Sequence, residues 1–184
     1  MADLRALTAL GVHEPAVVTV GPLTISERFD IAVASLAVRR GRDLMGAAKT
    51  AGVPLPLPAQ YQAAAPYSAF WVTPEMWFVE APFASHEAIA ALLKAAFADA
   101  ASITEQTDAW VIFDLHARDL ALVLERLCNV DFRTAPEGHA TRTVIDHLGC
   151  YLVKLGAGAA RVYGPRSSAQ SLLHAVEVAA ASAF

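Results

Sequence analysis

Apolar and polar positions along this chain fall into short runs whose period switches between two residues and three to four, so strands and helices alternate. Residues 17–20 and 23–26 read as strands around Gly21-Pro22, and 31–38 alternates as a longer strand. Residues 42–51 read as a helix ended by Gly52. Pro54, Pro56 and Pro58 then impose an extended connector, because proline fixes φ and restricts the residue before it. After a loop over 59–68, strands at 69–73 and 76–80 form a hairpin turning at Pro74-Glu75. Ser85 is placed to cap a helix through Ala98 with Leu92, Leu93, Ala96 and Phe97 as its apolar stripe, and 102–105 is a short strand.

The second half opens with a strongly apolar strand at 109–115 and a helix at 117–127 that carries Leu120, Val123, Leu124 and Leu127 on one face. Strands at 141–146, 149–154 and 160–163 follow, and a helix from Pro165 to Ala181 closes the chain. The order strand, helix, three strands, helix predicts an antiparallel sheet with helices on one face. The expected class is α+β, with two packed split β-α-β (ferredoxin-like) subdomains. We take residues 1–184 as one domain, with a subdomain at roughly 14–105 intertwined with one at 106–184. No internal repeat is evident.

The densest local pattern is Arg161-Val-Tyr-Gly-Pro-Arg-Ser-Ser-Ala-Gln-Ser-Leu-Leu173, where a strand runs straight into the last helix. Gly164 is available for a positive-φ turn and Pro165 suits a first helical turn. Arg166, Ser167 and Ser168 then stand at the positive end of the helix dipole. That arrangement either holds an anion or caps a helix.

Composition sharpens this picture. Apolar residues make up 55% of the chain and charged residues only 17%, which leaves too little charge for a fully solvated exterior and points to a partner. A formal net charge of −4 argues against nucleic acid, which needs a basic stripe. Arg39-Arg40-Gly-Arg42 is the one basic cluster and reads as a solvated turn. No apolar run reaches the roughly 18 residues of a membrane span, and residues 1–5 lack a signal-peptide pattern. Cys128 and Cys150 show neither disulfide-framework nor metal spacing. A soluble, cytoplasmic protein is expected.

Familiar catalytic patterns are missing. No GxGxxG or P-loop follows a strand, and Gly156-Ala-Gly158 joins two strands as a hairpin turn. His13, His86 and His139 fall in loops or helix starts, His116 precedes a helix, His147 lies in a turn and His174 on the last helix. Asp114 and His116, with Asp119 as a third group, come nearest to a metal pattern, against a capping role before the following helix. Cys128 is expected beside Leu127 and Val130, and Cys150 inside an apolar strand, without a local cation to activate either thiol. Ser167 and Ser168 have no GxSxG elbow. Tyr61, Tyr67, Phe70, Trp71, Trp77 and Phe78 crowd the hairpin, where neighbours face opposite sides. Either both faces are covered within the chain, or Trp71, Trp77 and Phe78 meet a partner, with Arg166 a further interface candidate.

Trp71-Val-Thr-Pro-Glu-Met-Trp-Phe-Val-Glu-Ala-Pro82 resembles the tryptophan-bearing hairpin of the gamma subunit of heterotetrameric sarcosine oxidase. Ile103-Thr-Glu-Gln-Thr-Asp-Ala-Trp-Val-Ile-Phe113, Arg118-Asp119-Leu and Leu127-Cys-Asn-Val-Asp131 are similar to that family's next block. Thr141-Arg-Thr143 and Val162-Tyr-Gly-Pro-Arg-Ser-Ser-Ala-Gln-Ser-Leu172 resemble its final blocks, and Leu55-Pro-Leu-Pro58 also fits. The likeness runs from about Val17 to the end, and the last block is its most specific part.

The resemblance implies a fold akin to the folate-binding domain of aminomethyltransferases. Where those enzymes carry a glycine-rich Arg-Thr-Gly-Tyr-Thr-Gly-Glu segment before the last strand, this sequence has 149–160, and it ends without their further barrel domain. The resemblance also implies a non-catalytic chain with no catalytic, cofactor or metal residues of its own. FAD, FMN, NAD and tetrahydrofolate would belong to the assembled complex, and the partners would be its alpha, beta and delta subunits. The isolated chain would then self-associate through its uncovered surface. The alternatives are a free-standing folate-binding or aminomethyl-transfer protein, tested at Arg166 or Asp131, and a small-anion sensor built on Arg166.

Overall fold

The computed structural model describes residues 6–184; residues 1–5, read above for a targeting signal, lie outside the described residues. The chain forms two compact units, the first from residues up to 29, 109–137 and 142–184, the second from 30–108 and 138–141. The subdomain expected over 14–105 therefore begins at Asp30. Residues 14–29 belong with the C-terminal sheet, because the strand at 23–27 pairs with a strand of the second half and the strand at 17–20 pairs with it in turn. No described helix is long and apolar enough to cross a membrane.

In the first unit, β1 (Val17–Val20), β2 (Leu23–Glu27), β8 (Trp110–His116), β9 (Ala140–Ile145), β10 (Leu148–Gly156) and β11 (Ala159–Pro165) make a six-stranded sheet in the order β1-β2-β8-β11-β10-β9. Alternation sends Val111, Phe113 and Leu115 of β8 with Ala160 and Val162 of β11 to one face. There they pack on α4 (Leu120–Leu127) and α5 (Ala169–Ala183) through Leu120, Val123, Leu124, Leu172 and Val176, all essentially sealed from water. Gly21 takes the turn between β1 and β2 at φ 54°.

In the second unit, β3 (Ile31–Val38), β4 (Tyr61–Gln62), β5 (Ser68–Thr73), β6 (Met76–Pro82) and β7 (Ala101–Glu105) form an antiparallel sheet in the order β4-β5-β6-β3-β7. Ala32, Ala34 and Leu36 point to α1 (Leu44–Ala51) and α3 (Ile89–Phe97). Asp43 caps α1 by accepting from the Gly46 N–H at 2.9 Å, and Gly52 ends it in the left-handed conformation, φ 67°.

Three sequence expectations are corrected. The helix expected from Ser85 to Ala98 is broken into a single turn, α2 (Phe83–His86), and α3. Ser85 donates to the Pro82 carbonyl instead of capping, and α3 receives its anchor from outside: the Ala90 N–H donates to the Glu105 carboxylate of β7 at 3.2 Å. Its buried face is accordingly Ile89, Ala90, Leu93 and Phe97, with Leu92 at 43% exposure and Ala96 also exposed. The helix expected from Ala117 starts at Leu120, because the Ala117 N–H is held by the Gly158 carbonyl at 3.0 Å. Finally, the 59–68 loop contains β4, too short to leave a period in the sequence.

Candidate functional site

The strand-to-helix junction is built for close packing. Gly164 stays in β11 opposite Val111 and is not among the positive-φ residues, so the expected left-handed turn is absent. A Cβ there would stand 2.4 Å from Leu172 Cδ2 and 3.6 Å from Cys150 Sγ, so glycine lets α5 approach the sheet. Pro165 still pairs with Trp110, and residues Arg166–Ser168 form a 3₁₀ turn before α5. Arg166 Nη2 donates to the Leu7 carbonyl at 3.0 Å, and Gln170 Nε2 reaches the Leu10 carbonyl at 3.3 Å. Glu27, itself 5% exposed, accepts from the Leu10 and Ala16 N–H groups at 3.1 Å each. These contacts fasten the amino-terminal segment to the first unit. Ser168 makes no side-chain cap bond.

The metal-like trio does not converge. Asp114 is 5% exposed and is clamped by two guanidinium groups, Arg161 (Nε to Oδ1 2.7 Å, Nη2 to Oδ2 3.0 Å) and Arg28. Burial pushes its carboxyl pKa up, but the hydrogen bonds and charges of Arg161 and Arg28 outweigh burial and hold it below the ordinary value. His116 is exposed at the strand end, and Asp119 stands before α4 without capping it. Among the described residues no group of three His, Cys, Asp or Glu side chains could hold a metal ion.

Cys150 is fully buried, and burial raises its thiol to a pKa of about 11. Cys128 is half-buried and its Sγ donates to the Leu124 carbonyl. On the aromatic hairpin Trp77 and Phe78 are 9% and 3% exposed, so neither offers its ring to solvent. Trp77 Nε1 donates to the Pro56 carbonyl at 2.8 Å, which ties the proline connector to β6. Phe78 meets Phe70 edge-on at 5.3 Å between ring centres. Trp71 and Arg166 are half-buried and keep accessible surface.

The sequence reading missed one pocket, of about 240 Å³, at the start of α4. Arg118, Asp119, Phe132, Arg133 and Lys154 line it. Lys154 is only 8% exposed; its ammonium donates to the Phe132 and Ala135 carbonyls at 2.7 and 2.6 Å and lies 4.7 Å from the Phe132 ring centre. Arg133 pairs with Glu125 through Nε at 2.6 Å, and that hydrogen bond and charge raise its pKa. The Asp131 carboxylate shapes the adjoining turn by accepting from the Thr134 hydroxyl and N–H, bonds that lower its pKa. The one signal available in the sequence was a lysine amid a strand otherwise apolar on both sides.

With this geometry in place, the class of fold is plain. The chain superimposes on the aminomethyltransferase T of the glycine cleavage system from Bartonella henselae with a TM-score of 0.60, 11% identity and 82% of this chain covered. It spans only 44% of that longer protein. The chain has the aminomethyltransferase-like α+β fold. A second match is nearer in size: a chain of the heterotetrameric sarcosine oxidase from Corynebacterium sp. U-96, solved in complex with pyrrole 2-carboxylate. Here the TM-score is 0.77 at 18% identity, covering 90% of this chain and 88% of that one. The chain therefore resembles a sarcosine oxidase subunit over nearly its whole length. No protein-family model and no curated protein sequence matches it.

Proposed function

We propose that this chain is the gamma-type, non-catalytic subunit of a sarcosine-oxidase-type heterotetramer. The observation that carries this reading is the size match: the chain covers 88% of the sarcosine oxidase chain but only 44% of the aminomethyltransferase. In this role it supports the oxidative demethylation of sarcosine to glycine in the cytoplasm, with one-carbon transfer to tetrahydrofolate. FAD, FMN, NAD and tetrahydrofolate sit in the complex on the alpha and beta chains, with a delta chain completing it. The engagement of Asp114 by arginines and the inertness of the Cys150 thiol agree with a supporting role. Trp71 and Arg166 are the two interface candidates that retain accessible surface. Co-expression of a tagged chain with large flavoprotein chains encoded beside it tests the idea. A yellow complex of four different chains is the expected result, with a colourless product when the tagged chain is made alone. A colourless monomer under both conditions defeats it.

The fold match to an aminomethyltransferase supports a second reading, a free-standing folate-binding protein. It requires heat of binding when the isolated chain is titrated with tetrahydrofolate, and a flat calorimetric trace removes it.

A further inference from the structure

We propose that the pocket at the start of α4 is a binding site for a compact polyanion, one carrying phosphate or carboxylate groups. It rests on this chain's own residues and is independent of assembly with other subunits.

Charge is the first ground. The side chains lining the pocket include three cations, Arg118, Arg133 and Lys154, and one carboxylate, Asp119. Arg133 pairs with Glu125 and also lies within reach of the charges of Asp119 and Asp131, but among the described residues neither Arg118 nor Lys154 has a carboxylate within ion-pair distance. Lys154 is more than nine-tenths buried, and among the described residues its ammonium is met by two neutral carbonyls and a ring face. A buried charge without a counter-charge is costly, and an anion entering the pocket supplies one. Arg118 is exposed and makes no bond to any described residue, so its guanidinium is available for a bidentate contact.

The backbone adds to this. The Asp119 side chain, at the position before α4, makes no cap bond, and Leu120 and Ala121, the first residues of that helix, line the pocket at the positive end of its dipole. Ala157 completes the lining, and its neighbour Gly158 holds the Ala117 N–H through its carbonyl at 3.0 Å. Size sets the ligand class. A volume of about 240 Å³ is below the roughly 300–1,000 Å³ of drug-sized sites, so the pocket suits a small polyanion and not a fused-ring cofactor.

The test uses the full chain and two probes, pyrophosphate and citrate, against sodium chloride at matched ionic strength. Each probe that fits is expected to raise the melting temperature by roughly 5–10 °C at a hundredfold excess over its Kd. Arg118→Gln should weaken binding about tenfold by calorimetry, as loss of one charge-assisted bond does. Arg40→Gln removes an exposed arginine in the other unit at the same net charge and should leave affinity unchanged. A response to pyrophosphate alone assigns a phosphate ligand, and to citrate alone a carboxylate one. No shift beyond sodium chloride with either probe, or equal weakening by both variants, overturns the proposal.

Discussion

Two glycines two positions apart behave differently at the level of single residues. A Cβ on Gly156 would meet only the Ala159 Cβ at 3.9 Å, whereas on Gly158 it would strike the carbonyl oxygen of Ala117, whose N–H the Gly158 carbonyl holds at 3.0 Å. Gly158→Ala should therefore cost about 1–3 kcal/mol in denaturant melts, as overpacking does, and Gly156→Ala should stay within about 0.5 kcal/mol. Equal losses from both would show that chain freedom, not close approach, matters in this hairpin. The cysteines differ in the same local way. With its pKa raised to about 11 by burial, Cys150 is almost wholly thiol at neutral pH, while Cys128 is half-buried. A disulfide reagent should titrate one thiol in the native protein and the second only on unfolding, and two thiols reacting at one rate would contradict the packing around Gly164.

Strand register places Asp114 of β8 opposite Arg161 of β11 and opposite Ser26 of β2, two residues before Arg28. The carboxylate joins these elements through two guanidinium groups. Its folded-state pKa is below the free value near 3.9, so its contribution is complete above that pH and fades as pH falls through the folded value. Asp114→Asn should cost about 3 kcal/mol at pH 7, the low end for a broken buried pair because the Arg28 side chain is 31% exposed. The gap between variant and parent should narrow below about pH 4; a gap unchanged down to pH 2 would deny Asp114 this role. Such long-range partners also explain what the sequence reading could and could not reach. The strands at 17–20 and 31–38 are legible because period-two alternation is local, and the strand at 31–38 is found at those bounds. The start of α3 is illegible because its anchor, Glu105, comes from another strand, and the cationic pocket is illegible because Arg118, Arg133 and Lys154 come from three separate segments. Arg166 and the hairpin tryptophans drew notice by local density, yet Trp77 is spent on holding the proline connector.

Across the whole molecule the apolar excess divides between two cores, one in each unit, and a residue of large apolar side chains at the surface. Val17 is 66% exposed, Met45 62%, Leu57 68% and Val144 59%. Scattered exposed apolar residues are ordinary in monomers, so their presence alone decides nothing. Their response to charge does decide. Because none is a core residue, Val17→Glu, Leu57→Glu and Val144→Glu should each leave the unfolding free energy within about 0.5 kcal/mol of the parent. An association surface responds otherwise, since a carboxylate buried at an interface without a partner costs several kcal/mol and shows as lost affinity. In a gamma-type subunit, at least one of these variants should lower both the self-association of the isolated chain in sedimentation and its recovery with flavoprotein chains. The other variants should change neither. Stability, self-association and recovery unaffected by all three would place the contact surface on other residues, with Trp71 and Arg166 next to be changed.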